Sequence, residues 1–299
     1  MTSKWSSDGI PPKAATDDVP PREVPSLCRF TLARSRASRI TFHHLMSEDH
    51  KHRARIFLHR GDLVQARTAW ETAVADDRLA DSPQALSDSL GNLGNTCALM
   101  NDLLRAEQCY REVLQIQRTE GNLTAVAHTL VNLGNLHIAS DHPEKARPYY
   151  LEAMDLLRQL QDSRGLGILY TNLALQEART SQWAQAVASF KQALDHHRIV
   201  GNEEGLAVTY SQLGKCYLDQ GELLGAERCL NNASEHYIKL GNEPAEAAVL
   251  RHLATVYEAR RDQTSARRCL DRVIALDQRY ALPELQIDLS HLARLKQAE

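Results

Sequence analysis

The chain has 299 residues, a formal net charge of −3 and only 5% aromatic residues. That balance gives no electrostatic ground for expecting nucleic acid as a partner, and no apolar run approaches the roughly 20 residues that span a bilayer. Plentiful Ala and Leu beside sparse Val and Ile favour helix over strand.

Residues 1–45 show no hydrophobic period and contain Pro11, Pro12, Pro20, Pro21 and Pro25. They read as a disordered Pro/Arg-rich leader, because such a composition cannot build a packed core. Lys4 is followed by Pro, Asp and Ser rather than by the roughly 7–15 apolar residues of a secretory signal, so a cytoplasmic location is expected. Ser26 to Leu45 carries Arg29, Arg34, Arg36 and Arg39 and no acid. A tether to nucleic acid or membrane, a transit-like segment, or a true chain start at Met46 all stay open there.

From residue 46 the sequence repeats, so 46–299 is expected to form one solenoid domain. Written in rows of 40 it aligns with itself without a gap: Leu93, Leu133, Leu173, Leu213 and Leu253 share one column, followed by Gly94, Gly134, Ala174, Gly214 and Ala254. Ala66, Ala106, Ala146, Ala186, Ala226 and Ala266 share another, and four residues on stand Trp70, Tyr110, Tyr150, Phe190, Leu230 and Leu270. Within a row, Leu86, Leu90, Leu93 and Cys97, then Leu103, Ala106, Tyr110 and Val113, recur at helical spacing. The two to four polar residues between these helices force an antiparallel hairpin. Small residues at Gly94 and Ala106 let its helices approach, and the Tyr110 ring is expected to fill the gap toward the next hairpin. Gly121, Gly201 and Gly241, each followed by Asn, supply the left-handed residue that ends a second helix. Gly165 and Gly205, near the starts of first helices, have no evident purpose in the sequence.

Five units fit from about Gln84 to Tyr280. An earlier degenerate unit, about Glu48 to Asp77, keeps Phe57, Gly61, Ala66 and Trp70 but has Arg53 in the Leu column, so its first helix reads as an end cap. A last helix, Pro283 to Ala298, realigns after a one-residue deletion and would shield the final hairpin. Cys109, Cys229 and Cys269 fall in one column and read as small buried packing residues.

The Leu-Gly pair of the first helix, with Ala and an aromatic in the second, resembles the tetratricopeptide repeat family. The resemblance covers about 250 residues. It implies an all-α fold: an α-solenoid of stacked antiparallel hairpins with five good repeats, an N-terminal degenerate repeat and a C-terminal capping helix. The period of 40 looks like the longer repeats of kinesin light chains, of polarity adaptors that bind G-protein regulators and of bacterial regulatory proteins.

In such a stack the first helices line the inner wall. One column on that wall holds Asn92, Asn132, Asn172, Gln212 and His252, and three residues on lie Asn95, Asn135, Leu175, Lys215 and Thr255, on the same helix face. An amide both donates and accepts, so a ladder of them can bond an extended peptide backbone whatever its side chains. In the long-repeat relatives an Asn at this place holds peptide backbone, a role the resemblance carries onto Asn92, Asn132 and Asn172, and then onto Asn95 and Asn135. Arg179, Lys215 and Arg251 are candidates to take an acidic residue. The Asn side chains can equally be explained by bonds between neighbouring helices.

No phosphate loop, nucleophile elbow or converging set of His and Cys ligands is present in the sequence, so no enzyme activity, cofactor or metal is expected. The favoured function is a protein–protein interaction scaffold binding a peptide segment of an unidentified partner, without nucleic acid or membrane. The alternatives are a signalling regulator that senses a peptide or binds a response regulator, and a nucleic-acid-binding helical repeat, which the acidic balance of 46–299 disfavours.

Overall fold

The computed structural model describes residues 36–297, which contain thirteen α-helices and no strand. In chain order they are α1 (Arg36–His59), α2 (Leu63–Leu79), α3 (Pro83–Leu99), α4 (Leu103–Thr119), α5 (Leu123–Ala139), α6 (Pro143–Gln159) and α7 (Ser163–Arg179). There follow α8 (Trp183–Ile199), α9 (Glu203–Asp219), α10 (Leu223–Leu240), α11 (Glu243–Ala259), α12 (Gln263–Tyr280) and α13 (Leu285–Gln297). Odd-numbered helices lead each hairpin and even-numbered helices return. The molecule is an all-α solenoid of consecutive helical hairpins.

One turn makes every corner. Positive φ recurs at 20-residue intervals from Gly61 to Ala281, carried by five glycines and by Asp81, Asn101, Asp141, Gln161, Ser181, Arg261 and Ala281. Gly121 shows the mechanism. At φ +71° its N–H reaches the Arg118 carbonyl (3.2 Å), and Asn122 N–H reaches that of Gln117 (3.0 Å), closing the orphan carbonyls of α4. The next residue caps the following helix. Asp62, Asp102, Asn122, Asp162, Asn202, Asn242 and Asp262 each accept a backbone N–H three residues on. The side-chain period of 40 therefore rides on a backbone period of 20.

The repeat columns form the core. All six column alanines, Ala66 to Ala266, are fully buried, and Trp70, Tyr110, Tyr150, Phe190, Leu230 and Leu270 are buried with them. The Tyr110 ring packs on Gly94 of its own hairpin. A Cβ at Gly94 would lie 2.7 Å from Tyr110 Cε1, and one at Gly134 would lie 2.4 Å from Tyr150 Cε1. The glycine is the space the ring occupies.

Contacts divide the chain at residue 157, inside α6, and the described parts, 36–156 and 157–297, are taken separately. In the first unit, α1 begins at Arg36, so residues 36–45, expected within the irregular leader, are helical. No apolar stripe announced them because α1 docks partly through polar groups. His43 Nδ1 bonds Asp76 at 2.9 Å, and the buried Lys51 ammonium lies 3.3 Å from the fully buried Asp77 carboxylate. Residues 1–35, with the questions attached to them, lie outside the described residues.

In the second unit Gly165 and Gly205 acquire a reason. Each makes room for a residue in the last turn of the preceding return helix: a Cβ at Gly165 would meet Leu157 Cδ2 at 2.4 Å, and one at Gly205 would meet His197 Nδ1 at 2.4 Å. At the end of the chain α13 covers the last hairpin as expected. Leu292 and Leu295 join Ala254, Ala266, Leu270 and Ile274 in one cluster, while Arg251 binds Asp277 (2.5 Å) and Asp288 (2.7 Å). The column cysteines are free thiols, and burial pushes Cys109, Cys229 and Cys269 up to about 11, far from the thiolate that reactivity needs. Cys28 lies outside the described residues.

Candidate functional site

Every candidate residue sits on a leading helix. Asn92, Asn95, Asn132 and Asn135 belong to α3 and α5 in the first unit, and Asn172, Arg179, Gln212, Lys215, Arg251 and His252 to α7, α9 and α11 in the second. Their engagements differ. Asn95 Oδ1 accepts the Tyr110 hydroxyl at 2.7 Å, and Asn135 Oδ1 accepts that of Tyr150 at 2.6 Å. Those two amides therefore tie the leading helix to its own return helix. Asn92 Nδ2 donates along α3 to the Asp88 carbonyl (2.7 Å). Asn132, Asn172 and Gln212 are half-buried and take part in neither kind of bond.

The cationic candidates also separate. Arg251 is held between the buried carboxylates of Asp277 and Asp288, so its charge is already spent on α12 and α13. Arg179 is exposed at the end of α7, and Lys215 and His252 are half-buried.

Asn172 faces a cavity. A cleft of about 370 Å³ lies between the leading helices α7 and α9, lined on one side by Arg164, Ile168, Thr171 and Asn172, and on the other by Glu204, Gly205, Val208 and Thr209. The hydroxyls of Thr171 and Thr209, both buried, hydrogen-bond at 3.0 Å across it. Beside them the His197 ring rests within 3.1 Å of the Asn202 amide and is kept neutral: burial, then the nearby His196 and Arg164, lower its pKa. Apart from Asn172 these residues went unmarked in the sequence, although it holds a signal. Where α3 and α5 carry Asp88 and His128, the same column offers Ile168 and Val208.

A larger cleft, about 740 Å³, lies in the first unit between the return helices α4 and α6 and the end of α5. Its charges largely answer one another: Arg111 pairs with Glu107 (2.7 Å), and His142 lies 3.4 Å from Glu144 at its rim. The buried His137 stacks on Tyr149 at its side, with ring centroids 5.3 Å apart. It contains none of the repeated amides. Among the described residues no His, Cys, Asp and Glu group suited to a metal ion occurs, and no helix is long and apolar enough to cross a membrane.

The architecture has close counterparts among solved structures. BtubC (BKLC) from P. vanneervenii superposes with a TM-score of 0.60 at 18% identity, covering 82% of this chain and 91% of that one. A Rap protein complexed with competence and sporulation factor gives 0.61 at 13% identity, covering 88% and 76%. A signal-transduction ATPase with a tetratricopeptide repeat sensor, from Pyrococcus horikoshii, gives 0.67 at 14% identity, covering 87% of this chain and 41% of that longer protein. At such identities the likeness is one of fold. No curated protein matches in sequence. The profile of the tetratricopeptide repeat, however, matches residues 86–159 and 205–279, the same stretches in which the Leu-Gly, Ala and aromatic columns are packed. The chain belongs to the tetratricopeptide repeat family.

Proposed function

We propose that this protein is an interaction scaffold whose leading helices hold a peptide segment of a partner protein, with Asn172 and Gln212 bonding the peptide backbone. The observation that carries the reading is the cleft between α7 and α9, because Asn172 lines it with an amide that the fold does not consume. Such an amide can accept a peptide N–H and donate to a peptide carbonyl together, a sequence-tolerant grip to which neighbouring pockets add preference. The Rap structure of similar fold was obtained with a bound factor. Asn95 and Asn135 contribute less under this reading, since their oxygens are taken by tyrosines.

The test is affinity purification followed by mass spectrometry, comparing the native protein with Asn172→Ala/Gln212→Ala. Both side chains are half-buried, so the variant should keep its helical signal and melting temperature while losing its partners. Recovery of the same partners at the same yield would remove these amides from the site. A second reading, a regulator whose repeats sense a peptide, draws on the likeness to the Rap protein and to the repeat sensor. It predicts a change in radius of gyration when a peptide binds, which scaffold binding alone does not require.

A further inference from the structure

The α7–α9 cleft also carries information about its occupant, on the reading that this wall takes a peptide. Its two rims bear opposite charges. Arg164 on α7 and Glu204 on α9 occupy equivalent places in successive repeats, both exposed and both lining the cleft, and neither is ion-paired among the described residues. One turn further along each helix stand Ile168 and Val208, the former 45% exposed. Elsewhere these columns read Gln84, Thr124 and Pro244, and Asp88, His128 and Ala248. Only these two repeats combine a rim charge with a branched apolar residue one turn on.

Both charges stand in solvent at little cost to the fold, and because neither is engaged by a side chain among the described residues both remain available to a ligand. The arrangement suits a ligand carrying the complementary pair. Packed helices lie about 8–10 Å apart. A polyproline-II-like peptide advances about 3.1 Å per residue with three residues per turn, so residues i and i+3 point the same way about 9 Å apart. Side chains at i and i+3 can thus face the two rims, while i+1 or i+2 points along the helices onto Ile168 and Val208.

We infer that the cleft selects an extended segment in which a carboxylate and a cation lie three residues apart with an apolar residue between them, the carboxylate meeting Arg164 and the cation meeting Glu204. The amide grip holds the segment in one strand direction, and which order of the two charges fits that direction is what the experiment reads.

The test uses three fluorescent peptides that differ only in a central tetrad, Asp-Leu-Pro-Lys, Lys-Leu-Pro-Asp and the neutral Asn-Leu-Pro-Gln, with binding followed by anisotropy at low ionic strength. One charged order should bind the native protein about tenfold more tightly than the other, each exposed ion pair contributing a few-fold. In the charge-swapped Arg164→Glu/Glu204→Arg variant the preference should invert, with an unchanged circular dichroism spectrum and the neutral peptide binding as before. Equal affinity for both orders in both proteins, with the neutral peptide still bound, overturns the charge register and leaves the amide grip standing. Failure of all three to bind removes both.

Discussion

The two units share their turns and their alanine column, yet the helices inside each are held by different polar bonds. In the first unit the column tyrosines Tyr110 and Tyr150 donate to Asn95 and Asn135, and Arg78 and Arg118 reach the carboxylates of Glu112 and Glu152. In the second unit the matching pairs are Leu175 with Phe190 and Lys215 with Leu230, which need no such bond. There Arg158 and Arg198 turn instead to the hydroxyls of Tyr170 and Tyr210, whose rings stack on His196 and His236. Recurrence in register is thus not by itself a sign of a ligand. Asn appears at 95 and 135 where a buried tyrosine hydroxyl needs an acceptor, and is absent where the ring is Phe or the side chain Leu.

The largest expected effect tests what the units share. Ala146→Leu and Ala226→Leu each force a larger side chain into a fully buried column position and should each cost about 1–3 kcal/mol through overpacking, read as a lower midpoint in denaturant. If either substitution is silent, the claim of a common scaffold fails for that unit. Next comes the bond that distinguishes them. Asn135→Ala leaves the Tyr150 hydroxyl without its acceptor in a ring only 3% exposed and should cost about 1–2 kcal/mol. Importing the second unit's solution, Asn135→Leu/Tyr150→Phe, should recover most of that loss. A double variant as unstable as the single one would show that Asn135 does something other than hold the tyrosine.

Acidity separates two positions of one column, His197 and Asp277, in opposite directions. Burial and the Asp288 carboxyl raise Asp277 to about 6, against the opposing pull of Arg251. A folded-state pKa above the unfolded value means that Asp277 contributes its stability below about pH 4 and loses it as pH rises through about 6. His197 is lowered, mainly by burial, so its contribution is present above its ordinary value near 6.5 and lost as pH falls below that. Between pH 7 and 5, melting of Asp277→Asn relative to the native protein should therefore show a gain at the high end on the order of 1 kcal/mol. His197→Leu, which copies Leu157 against Gly165, should show its relative gain at the low end. The same pH trend in both variants would contradict these environments.

Much of this was legible beforehand. Hairpins, register, the burial of all six alanines and the C-terminal cover follow from periodicity, because each residue's neighbours are themselves repeated. What escaped is what periodicity cannot carry. The start of α1 at Arg36 is hidden because its packing uses His43, Lys51 and the carboxylates of Asp76 and Asp77. Gly165 and Gly205 make sense only once Leu157 and His197 are seen pressing on them. The identical left-handed turn at Gln161, Ser181 and Arg261 is invisible where glycine is missing. At the candidate site the amide column was readable, but which amides the fold uses depends on a partner 15 residues away.

The smallest effect discriminates most finely between the units. Arg118 and Glu152 form a pair at 2.6 Å with roughly half of each side chain exposed, so Arg118→Ala should cost no more than about 0.5 kcal/mol. Arg158→Ala removes a bond of 2.9 Å to the neutral Tyr170 hydroxyl and should cost about as much in dilute buffer. Salt separates them. At about 1 M the screening length shrinks to roughly 3 Å, which should erase most of the Arg118 effect while leaving that of Arg158, because a cation bonded to a neutral hydroxyl gains little from opposite charge. Equal salt sensitivity would mean that the arginine column works through the general field of each unit, and that the exchange of glutamate for tyrosine carries no energetic meaning.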